Sequence, residues 1–379
     1  MTQRLLSGIR VLDLSQFTPG PYATLLLADL GAQVIKVEPP AGDPQRIDGP
    51  LDRDGISAWY RLMNRSKTVV RLDLKTEEGK RVFTELLGEA DAMLESYRPG
   101  VMDRLGFGRE RLDAINPMLV HCALSGWGQT GPYRLKAGHD LNYMAFGGGL
   151  AASGTKDAPV MTYPAVADFA GGLFAAFAIV AGLQGRKERG RGAFIDASLA
   201  ETVLSWLSPD LTGMLRAGFV PDRAAIPYNG GLACYQIYRT ADDRFITLGI
   251  IEDKFWRNFC NAVGRADWIP RQWEAVPQHG FIAELAALFR MRSLAAWLEL
   301  LEPVDTCFHA VLEHRELPSH PHIVARRMIA REDGADPFVE ALFPAWVDGE
   351  PPPARHVFRE LDAAEALRAW RAAPRAKRG

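Results

Sequence analysis

Short apolar runs alternate with longer segments of helical periodicity over the first third of the chain. The run IRVLDL (9–14) is typical of a buried strand, and QVIKVE (33–38) is typical of the next one. Between them, PGPYATLLLADLG has the pattern of a helix, with Pro21 near its start and Gly31 at its end. The alternation continues with strands at 68–74, 91–96 and 118–125 and a helix at 76–90. This order predicts an α/β fold with a Rossmann-like, doubly wound parallel sheet and right-handed crossovers.

The pattern changes after residue 216, where the polar link RAGFVPDRAAIPYNGG follows. The runs ACYQIYRT and RFITLGII, on either side of ADD, predict a β-hairpin, and amphipathic helices follow to about residue 315. These features predict a smaller α+β domain. The predicted division is a large domain at 1–216, a linker at 217–228, the small domain at 229–315 and a segment at 316–379 that returns to the large domain.

Nucleotide-binding motifs that often accompany such a sheet are absent from the sequence. The first turn, SQFTPGPYA, lacks GxGxxG, and GxxxxGK[ST] occurs nowhere. The formal net charge of −2 argues against broad binding to nucleic acid or to an anionic membrane, but it permits a local basic pocket for a phosphorylated ligand. The sheet therefore leaves the function open, and no nucleic-acid or membrane partner is predicted.

The cysteines at positions 122, 234, 260 and 307 are widely spaced. Because no CxxC pair or histidine at metal-ligand spacing accompanies them, neither a metal site nor a disulfide framework is predicted.

The N-terminus has no apolar signal region, so we expect a cytoplasmic location. The longest apolar run, AVADFAGGLFAAFAIVAGL (165–183), contains Asp168 and paired glycines near its start, and it predicts a buried helix rather than a membrane span.

The segment AGHDLNY (137–143) contains the first candidate for acid–base chemistry. His139 has a side chain that titrates near neutral pH, which suits a general base or acid, and a buried structural role is the alternative. Two glycine-containing segments, SGWGQTGPY (125–133) and AFGGGLAASG (145–154), flank it. Glycines allow a ligand to approach the backbone closely. The neighbourhood therefore favours the catalytic interpretation.

Three carboxylates have both a structural and a functional interpretation. Asp140 is expected to cap the helix LNYMAFGGG, since adjacent residues point to different faces. Asp168, in VADFAGG, is either a helix cap or a catalytic group at a helix start whose N–H groups would stabilise an oxyanion. Glu252, in GIIEDKF, either compensates a helix dipole or orients His139 and tunes its basicity.

These segments together resemble the α-methylacyl-CoA racemase branch of the class III CoA-transferase (CaiB/BaiF) family. The resemblance is carried, in family order, by GIRVLDLSQFTPGPYATLLLADLGAQVIKVE, ESYRPGVMDRLGFG, LSGWGQTGPYRLKAGHDLNY, VADFAGG and YRTADDRFITLGIIEDKF. It implies an interlocked homodimer in which each chain has a large Rossmann-like domain and a smaller domain, with active sites between chains.

The resemblance also assigns roles to the candidate residues. In the racemases the GHD histidine and the VADFAGG aspartate act as two bases, which correspond to His139 and Asp168, and a glutamate corresponding to Glu252 pairs with the histidine. In the transferases the aspartate is a nucleophile, and the histidine position is typically Tyr or Phe. Inversion at a carbon needs two bases on opposite faces, so the presence of both groups favours a racemase of 2-methylacyl-CoA thioesters.

Two other functions stay open at this point. One is a CoA-transferase in which Asp168 is the nucleophile, and the other is a catalytically silent acyl-CoA-binding protein. For the racemase we expect an enolate whose oxygen is held by backbone N–H groups at the start of the Asp168 helix. No metal or redox cofactor is expected beyond the CoA moiety of the substrate.

CoA recognition also follows from the resemblance. It implies that the nucleotide end is lined by Leu72, Lys75, Ser96, Tyr97, Arg98 and Arg104 and that Asp140 and Tyr143 lie nearer the pantetheine. Many relatives have an arginine that contacts the nucleotide at the position of Pro39 in VEPPAG. The candidates to replace that cation are Arg46, Arg65 and Lys67.

Overall fold

The computed structural model of the chain describes residues 5–333 and 337–375. They form two compact units. The large unit contains the residues up to Gly147, Tyr163–Ser205 and the residues from Pro321 onward. The second unit contains Gly148–Thr162 and Trp206–His320.

This division differs from the predicted one at three places. Residues 148–162 and 206–216, assigned by the sequence to the large domain, group with the second unit, and the chain returns to the large unit at 321 rather than 316. The first of these segments is held by side chains of the predicted linker. Arg223 donates hydrogen bonds to the carbonyls of Ala151 (3.1 Å) and Thr155 (3.2 Å). Local composition does not show such a long-range attachment.

The strands of the described residues are β1 (Arg10–Leu14), β2 (Gln33–Glu38), β3 (Thr68–Arg71), β4 (Ala92–Glu95), β5 (Val120–Ser125), β6 (Ala193–Ser198), β7 (Tyr235–Arg239), β8 (Phe245–Gly249), β9 (Phe308–Ala310), β10 (Ile329–Glu332), β11 (Phe338–Ala341) and β12 (Arg359–Glu360). The α-helices are α1 (Pro19–Asp29), α2 (Ala58–Asn64), α3 (Glu77–Glu89), α4 (Val101–Arg104), α5 (Arg109–Ile115), α6 (Asp140–Phe146), α7 (Val166–Arg189), α8 (Leu199–Trp206), α9 (Ser208–Ala217), α10 (Asp253–Ala262), α11 (His279–Phe289), α12 (Leu294–Leu301), α13 (Pro321–Ala325) and α14 (Ala363–Ala372). Short 3₁₀ helices lie at Pro44–Ile47, Pro227–Asn229, Ala266–Arg271 and Leu317–Ser319.

A parallel sheet forms the centre of the large unit, with strand order β12-β3-β2-β1-β4-β5-β6. Every residue of β1 is buried, because β1 pairs with β2 on one side and β4 on the other and helices cover both faces of the sheet. The direction of strand addition therefore reverses between β1 and β4, as in doubly wound sheets. This confirms the predicted α/β fold with a large parallel sheet. The last strand, β12, comes from the returning segment and pairs with β3.

Helices cover both faces of this sheet. On one face, α3, α5 and α14 bury Phe83, Leu112 and Trp370 in a core with strand residues such as Leu12. On the other face, α1 and α7 pack against each other, and α7 also packs on β5 and β6. At Gly172 of α7 a Cβ would lie only 2.5 Å from the carbonyl oxygen of Pro19, so glycine allows this close approach. The start of α7 is thereby held beside the start of α1.

Helix α7 is the apolar segment that the sequence singled out. Among the described helices it is long and apolar enough to cross a membrane, a property that core helices of soluble proteins share. One face of α7 is buried, as expected, at residues such as Ala175 and Ile179. The other face is not buried within this chain, because Leu173 and Phe177 are 52% and 68% exposed.

The second unit contains the antiparallel sheet β7-β8-β9. The predicted hairpin is observed, with Tyr235 paired to Gly249 and Arg239 to Phe245. Its helices α10, α11 and α12 contribute large side chains to a separate core that includes Trp256, Phe289 and Trp297.

Candidate active site

The carboxyl ends of β1, β4 and β5 lie at the point where the sheet order reverses. Parallel sheets bind ligands there, because the loops that follow neighbouring strands diverge and leave a crevice. The loops after these three strands line one cavity of about 240 Å³. Its lining residues are Gln16, Phe17, Pro19, Ser96, Tyr97, Arg98, Pro99, Leu124, Ser125, Gly126, Trp127, Arg134, Lys136, Ala137, Gly138, His139, Tyr143, Asp168 and Leu199.

This cavity brings together the two predicted acid–base residues, His139 and Asp168. His139 is the residue before α6, and Asp168 lies in the first turn of α7. The backbone N–H of His139 donates to Asn142 Oδ1 (3.0 Å), and its carbonyl accepts from the Asn142 N–H (2.8 Å). Both hydrogen bonds engage the backbone of His139, which lines the cavity.

An aromatic cluster supports the loop that precedes His139. Trp127 Nε1 donates to the Lys136 carbonyl (2.9 Å), and the Tyr143 hydroxyl donates to the Gly138 carbonyl (2.5 Å). The Trp127 and Tyr143 rings meet edge to face at 5.1 Å. A Cβ at Gly138 would lie 2.8 Å from the Tyr143 ring, so this position requires glycine. The glycine directly before His139 therefore serves loop packing.

The Asp140 side chain connects the two catalytic candidates. The prediction that Asp140 caps its own helix is wrong, because Asp140 is the first residue of α6. Its Oδ1 instead accepts the backbone N–H groups of Ala167 (2.7 Å) and Asp168 (3.1 Å) at the start of α7. These N–H groups are thus occupied. The expectation that they hold the enolate oxygen is therefore wrong.

Burial and, after it, the negative charge of Asp140 raise the pKa of Asp168 to about 7. Asp168 therefore holds a proton for a substantial fraction of the time at neutral pH, so it can act as an acid or as a base. Burial and the charge of Asp168 also raise the pKa of Tyr143 to about 12, so Tyr143 remains a hydroxyl donor.

A second cavity of about 250 Å³ shares Gln16 and Tyr97 with the first. Two further residues predicted to bind CoA, Leu72 and Lys75, line it. Its other lining residues are Val37, Glu38, Pro39, Asp73, Leu74, Val101 and Leu105. Most of this wall is apolar and suits a ring, and Lys75 is its cation for a phosphate, beside the carboxylates Glu38 and Asp73.

The structure separates the remaining predicted CoA-binding residues. Ser96, Tyr97, Arg98 and Tyr143 line the first cavity, whereas Arg104, which is exposed at the last residue of α4, is not among the described lining residues of either cavity. The Ser96 hydroxyl also accepts the Gln16 N–H (2.9 Å) and so holds the loop after β1.

The cations predicted to compensate for Pro39 are committed elsewhere, so that prediction is wrong. Arg46 binds Glu38 (2.7 Å), and Arg65 binds Glu332 (2.7 Å). Lys67 is wholly buried against Asp13 (3.0 Å). The exposed Arg71 lies beside Pro39 instead, because its guanidinium donates to the carbonyl of Pro40 (3.3 Å).

The loop after β1 rests on a buried charge network that the sequence analysis missed. Lys36 Nζ donates to the Ser15 carbonyl (2.7 Å) and pairs with Asp43 (2.9 Å), and Asp43 Oδ1 accepts the Phe17 N–H (3.3 Å). Phe17 has a φ of +61°, an uncommon conformation for a residue other than glycine. The only signal in the sequence is a charged residue inside each of two apolar strands, Asp13 and Lys36.

Glu252 lies in the second unit, exposed at the position before α10. Burial first and then the charge of Glu252 raise the pKa of the Cys307 thiol, which places the glutamate near that cysteine. The predicted pairing of Glu252 with His139 joins the two units and stays a prediction.

Comparison with known proteins agrees with this geometry. The profile of CoA-transferase family III matches residues 6–357. Human alpha-methylacyl-CoA racemase is 35% identical over 84% of this chain and 80% of its own length. Acetyl-CoA:oxalate CoA-transferase of Acetobacter aceti is 32% identical over 86% of both chains.

Solved structures show the same fold. The crystal structure of a CAIB/BAIF family protein from Brucella suis matches with a TM-score of 0.83 at 28% identity and covers 96% of this chain and 98% of that one. The orthorhombic form of Rv3272 from Mycobacterium tuberculosis matches with a TM-score of 0.79 at 26% identity over 95% and 97% of the two chains. The chain is therefore a member of CoA-transferase family III, the CaiB/BaiF family.

Proposed function

We propose that this protein inverts the C2 centre of 2-methylacyl-CoA thioesters by two-base proton transfer. The observation that carries the proposal is that His139 and Asp168 line one cavity at the reversal point of the sheet. A transferase needs a single nucleophilic carboxylate, whereas inversion needs a proton acceptor on one face of the carbon and a donor on the other. The similarity to human alpha-methylacyl-CoA racemase supports the same reaction.

The two cavities accommodate the two ends of an acyl-CoA. They share Gln16 and Tyr97, so one extended ligand can occupy both. The nucleotide then lies against Leu72, with Lys75 near its phosphates, and the thioester lies between His139 and Asp168. Arg98, in the first cavity, supplies a further cation for the phosphate chain.

The reaction begins when His139 or Asp168 removes the C2 proton. The electrons of the broken C–H bond form an enolate, and the other residue then delivers a proton to the opposite face of C2. Because the pKa of Asp168 is raised to about 7, its two protonation states lie close in free energy at neutral pH. The N–H groups of Asp140 and Leu141, the first two of α6, have no acceptor within the described part of the chain and suit the developing oxyanion.

A CoA-transferase remains the second candidate, because a specific feature favours it. Arg98, Arg134 and Lys136 line the same cavity as Asp168, and cations there would bind a carboxylate acceptor. The similarity to acetyl-CoA:oxalate CoA-transferase is nearly as high as the similarity to the racemase. In that reaction Asp168 attacks the thioester carbonyl, and the CoA thiolate leaves.

The experiment that distinguishes the two reactions is incubation of (2R)- and (2S)-2-methyldecanoyl-CoA in D₂O without an acceptor. A racemase exchanges C2 hydrogen and interconverts the isomers. His139→Gln and Asp168→Asn each lose the interconversion, and any remaining hydrogen exchange is confined to the isomer whose base is kept. Transfer of CoA to labelled oxalate or succinate, together with an acyl-enzyme trapped by hydroxylamine, would support the transferase instead. In that case His139→Gln retains CoA transfer and Asp168→Asn loses it.

We also infer that the partner of the chain is a second copy of itself, interlocked as the family resemblance implies. No residue of α9 is buried within the described part of this chain, and Leu211, Met214 and Leu215 are 46%, 49% and 85% exposed. A helix that exposes several large apolar side chains is typical of a subunit interface. The exposed Phe177 of α7 supports the same inference.

A further inference from the structure

Asp140 occupies a distinctive position between the two proposed bases. It directly follows His139 in the chain, and its Oδ1 receives the N–H groups of Ala167 and Asp168. A single side chain therefore ties the backbone of one base to that of the other, across 28 residues of sequence.

The start of α7 has no cap of its own. Its N-cap residue is Ala165, which has no side-chain oxygen, and no side-chain cap hydrogen bond comes from that position. The first N–H groups of a helix need an acceptor, and a carboxylate is a strong one because it also faces the positive end of the helix dipole. Asp140 supplies this acceptor from α6.

The same contact places a negative charge beside Asp168. Two neighbouring carboxylates in a partly buried cavity repel each other when both are ionised, so the proton is retained on one of them. Asp140 accepts two backbone N–H hydrogen bonds, whereas the Asp168 carboxylate accepts none from the described residues. The other titratable or charged groups that line this cavity are Arg98, Arg134, Lys136, His139 and Tyr143.

We propose that Asp140 is a positioning residue with two separable effects, and this inference rests on the proposed function. Its hydrogen bonds hold Asp168 at a fixed distance from His139. Its charge opposes the ionisation of Asp168, so that Asp168 holds a proton for a substantial fraction of the time in the resting enzyme. The pair is then ready to remove a proton with one group and deliver one with the other.

Two substitutions separate these effects. Asp140→Asn keeps an oxygen acceptor of the same size and removes the charge, so the pH at which Asp168 ionises should fall by about one unit. Asp140→Ala removes both effects and should lower kcat by about 100-fold with little change in KM, since small displacements of a catalytic group are costly. Asp362→Asn is the matched control, because Asp362 caps the remote helix α14 (2.8 Å to the Glu365 N–H).

The measurement is the pH profile of kcat for all variants, together with hydrogen exchange at the first turn of α7. The profile is read on whichever reaction the wild-type enzyme catalyses, since Asp168 must ionise both to accept a proton and to attack a thioester. The inference thus survives if the enzyme is a transferase. An unshifted profile in Asp140→Asn would overturn the electrostatic effect. Asp140→Ala with normal kcat would overturn the positioning effect.

Discussion

Lys67 Nζ lies 3.0 Å from Asp13 Oδ2, and both side chains are wholly buried. Lys67 also donates to the Pro21 carbonyl (2.9 Å) and the Thr24 hydroxyl (2.7 Å), so it joins β1 to α1. Burial opposes the charge on Asp13, but Lys67, Lys36 and two hydroxyl groups outweigh it and hold the pKa of Asp13 below its ordinary value. The ion pair is part of the buried charge network that supports the loop after β1.

Removal of one partner of this pair should destabilise the fold strongly. We expect Lys67→Met to lower the free energy of unfolding by about 3–5 kcal/mol, because it leaves Asp13 buried with less compensation. Urea unfolding at pH 7 followed by circular dichroism measures the effect. Lys80→Met is the control, since Lys80 forms a surface pair with Glu77 (2.8 Å) and its loss should cost less than about 0.5 kcal/mol. Equal midpoints for the two variants would contradict the prediction.

Substitution of Asp168 should stabilise the protein at alkaline pH. The folded state raises the pKa of Asp168 to about 7, whereas the unfolded chain returns it to about 4. Between these values the folded state binds more protons, so wild-type stability falls as pH rises. Asparagine does not ionise, so the stability of Asp168→Asn does not fall for this reason. We expect it to be about 1–2 kcal/mol more stable than wild type at pH 8, after allowance for solvent screening, and less so at pH 5.

The control for this effect is Asp113→Asn, because Asp113 is exposed and lies 3.9 Å from Arg109. Its unfolding free energy should follow the wild-type pH dependence within about 0.5 kcal/mol. If Asp168→Asn were less stable than wild type at pH 8, the protonation of Asp168 proposed here would be incorrect.

Nucleotide binding should depend on Lys75 and on Arg71, which lies beside Pro39. Lys75→Ala and Arg71→Ala should each raise KM for an acyl-CoA by about 10-fold, since a charge-assisted bond to phosphate contributes about 1.4 kcal/mol or more. Neither should change KM for the corresponding acyl-pantetheine, which lacks the nucleotide. Lys80→Ala, on the exposed surface of α3, should behave as wild type with both substrates. Equal losses with both substrates would place the two cations away from the nucleotide.

The homodimer should depend on the exposed face of α9. Leu215→Glu places a charge on a surface that we expect the second copy to cover, and it should weaken dimerisation by at least about 100-fold. Size-exclusion chromatography with light scattering measures the mass. Met291→Glu is a matched control, because Met291 is 75% exposed but does not belong to α9. A dimer that persists in Leu215→Glu would exclude this face.

Much of the fold could be predicted because its signals are local. The mainly apolar runs IRVLDL and QVIKVE are buried strands β1 and β2, since a strand covered on both faces needs apolar residues at most of its positions. Proline and glycine marked the limits of α1 because their backbone preferences are also local signals. The chemical character of His139 and Asp168 also follows from residue type and neighbourhood, which is why both could be proposed without a structure.

The sequence by itself thus determined the order of strands and helices, the parallel sheet and the identity of the two acid–base candidates. Only the tertiary structure decided that they line one cavity, that Asp140 hydrogen-bonds the backbone of Asp168 and that Arg46, Arg65 and Lys67 bind other carboxylates of the chain. These outcomes depend on which groups meet across tens or hundreds of residues. Burial then removes water as an alternative partner, so a side chain's role is set by the neighbour it meets.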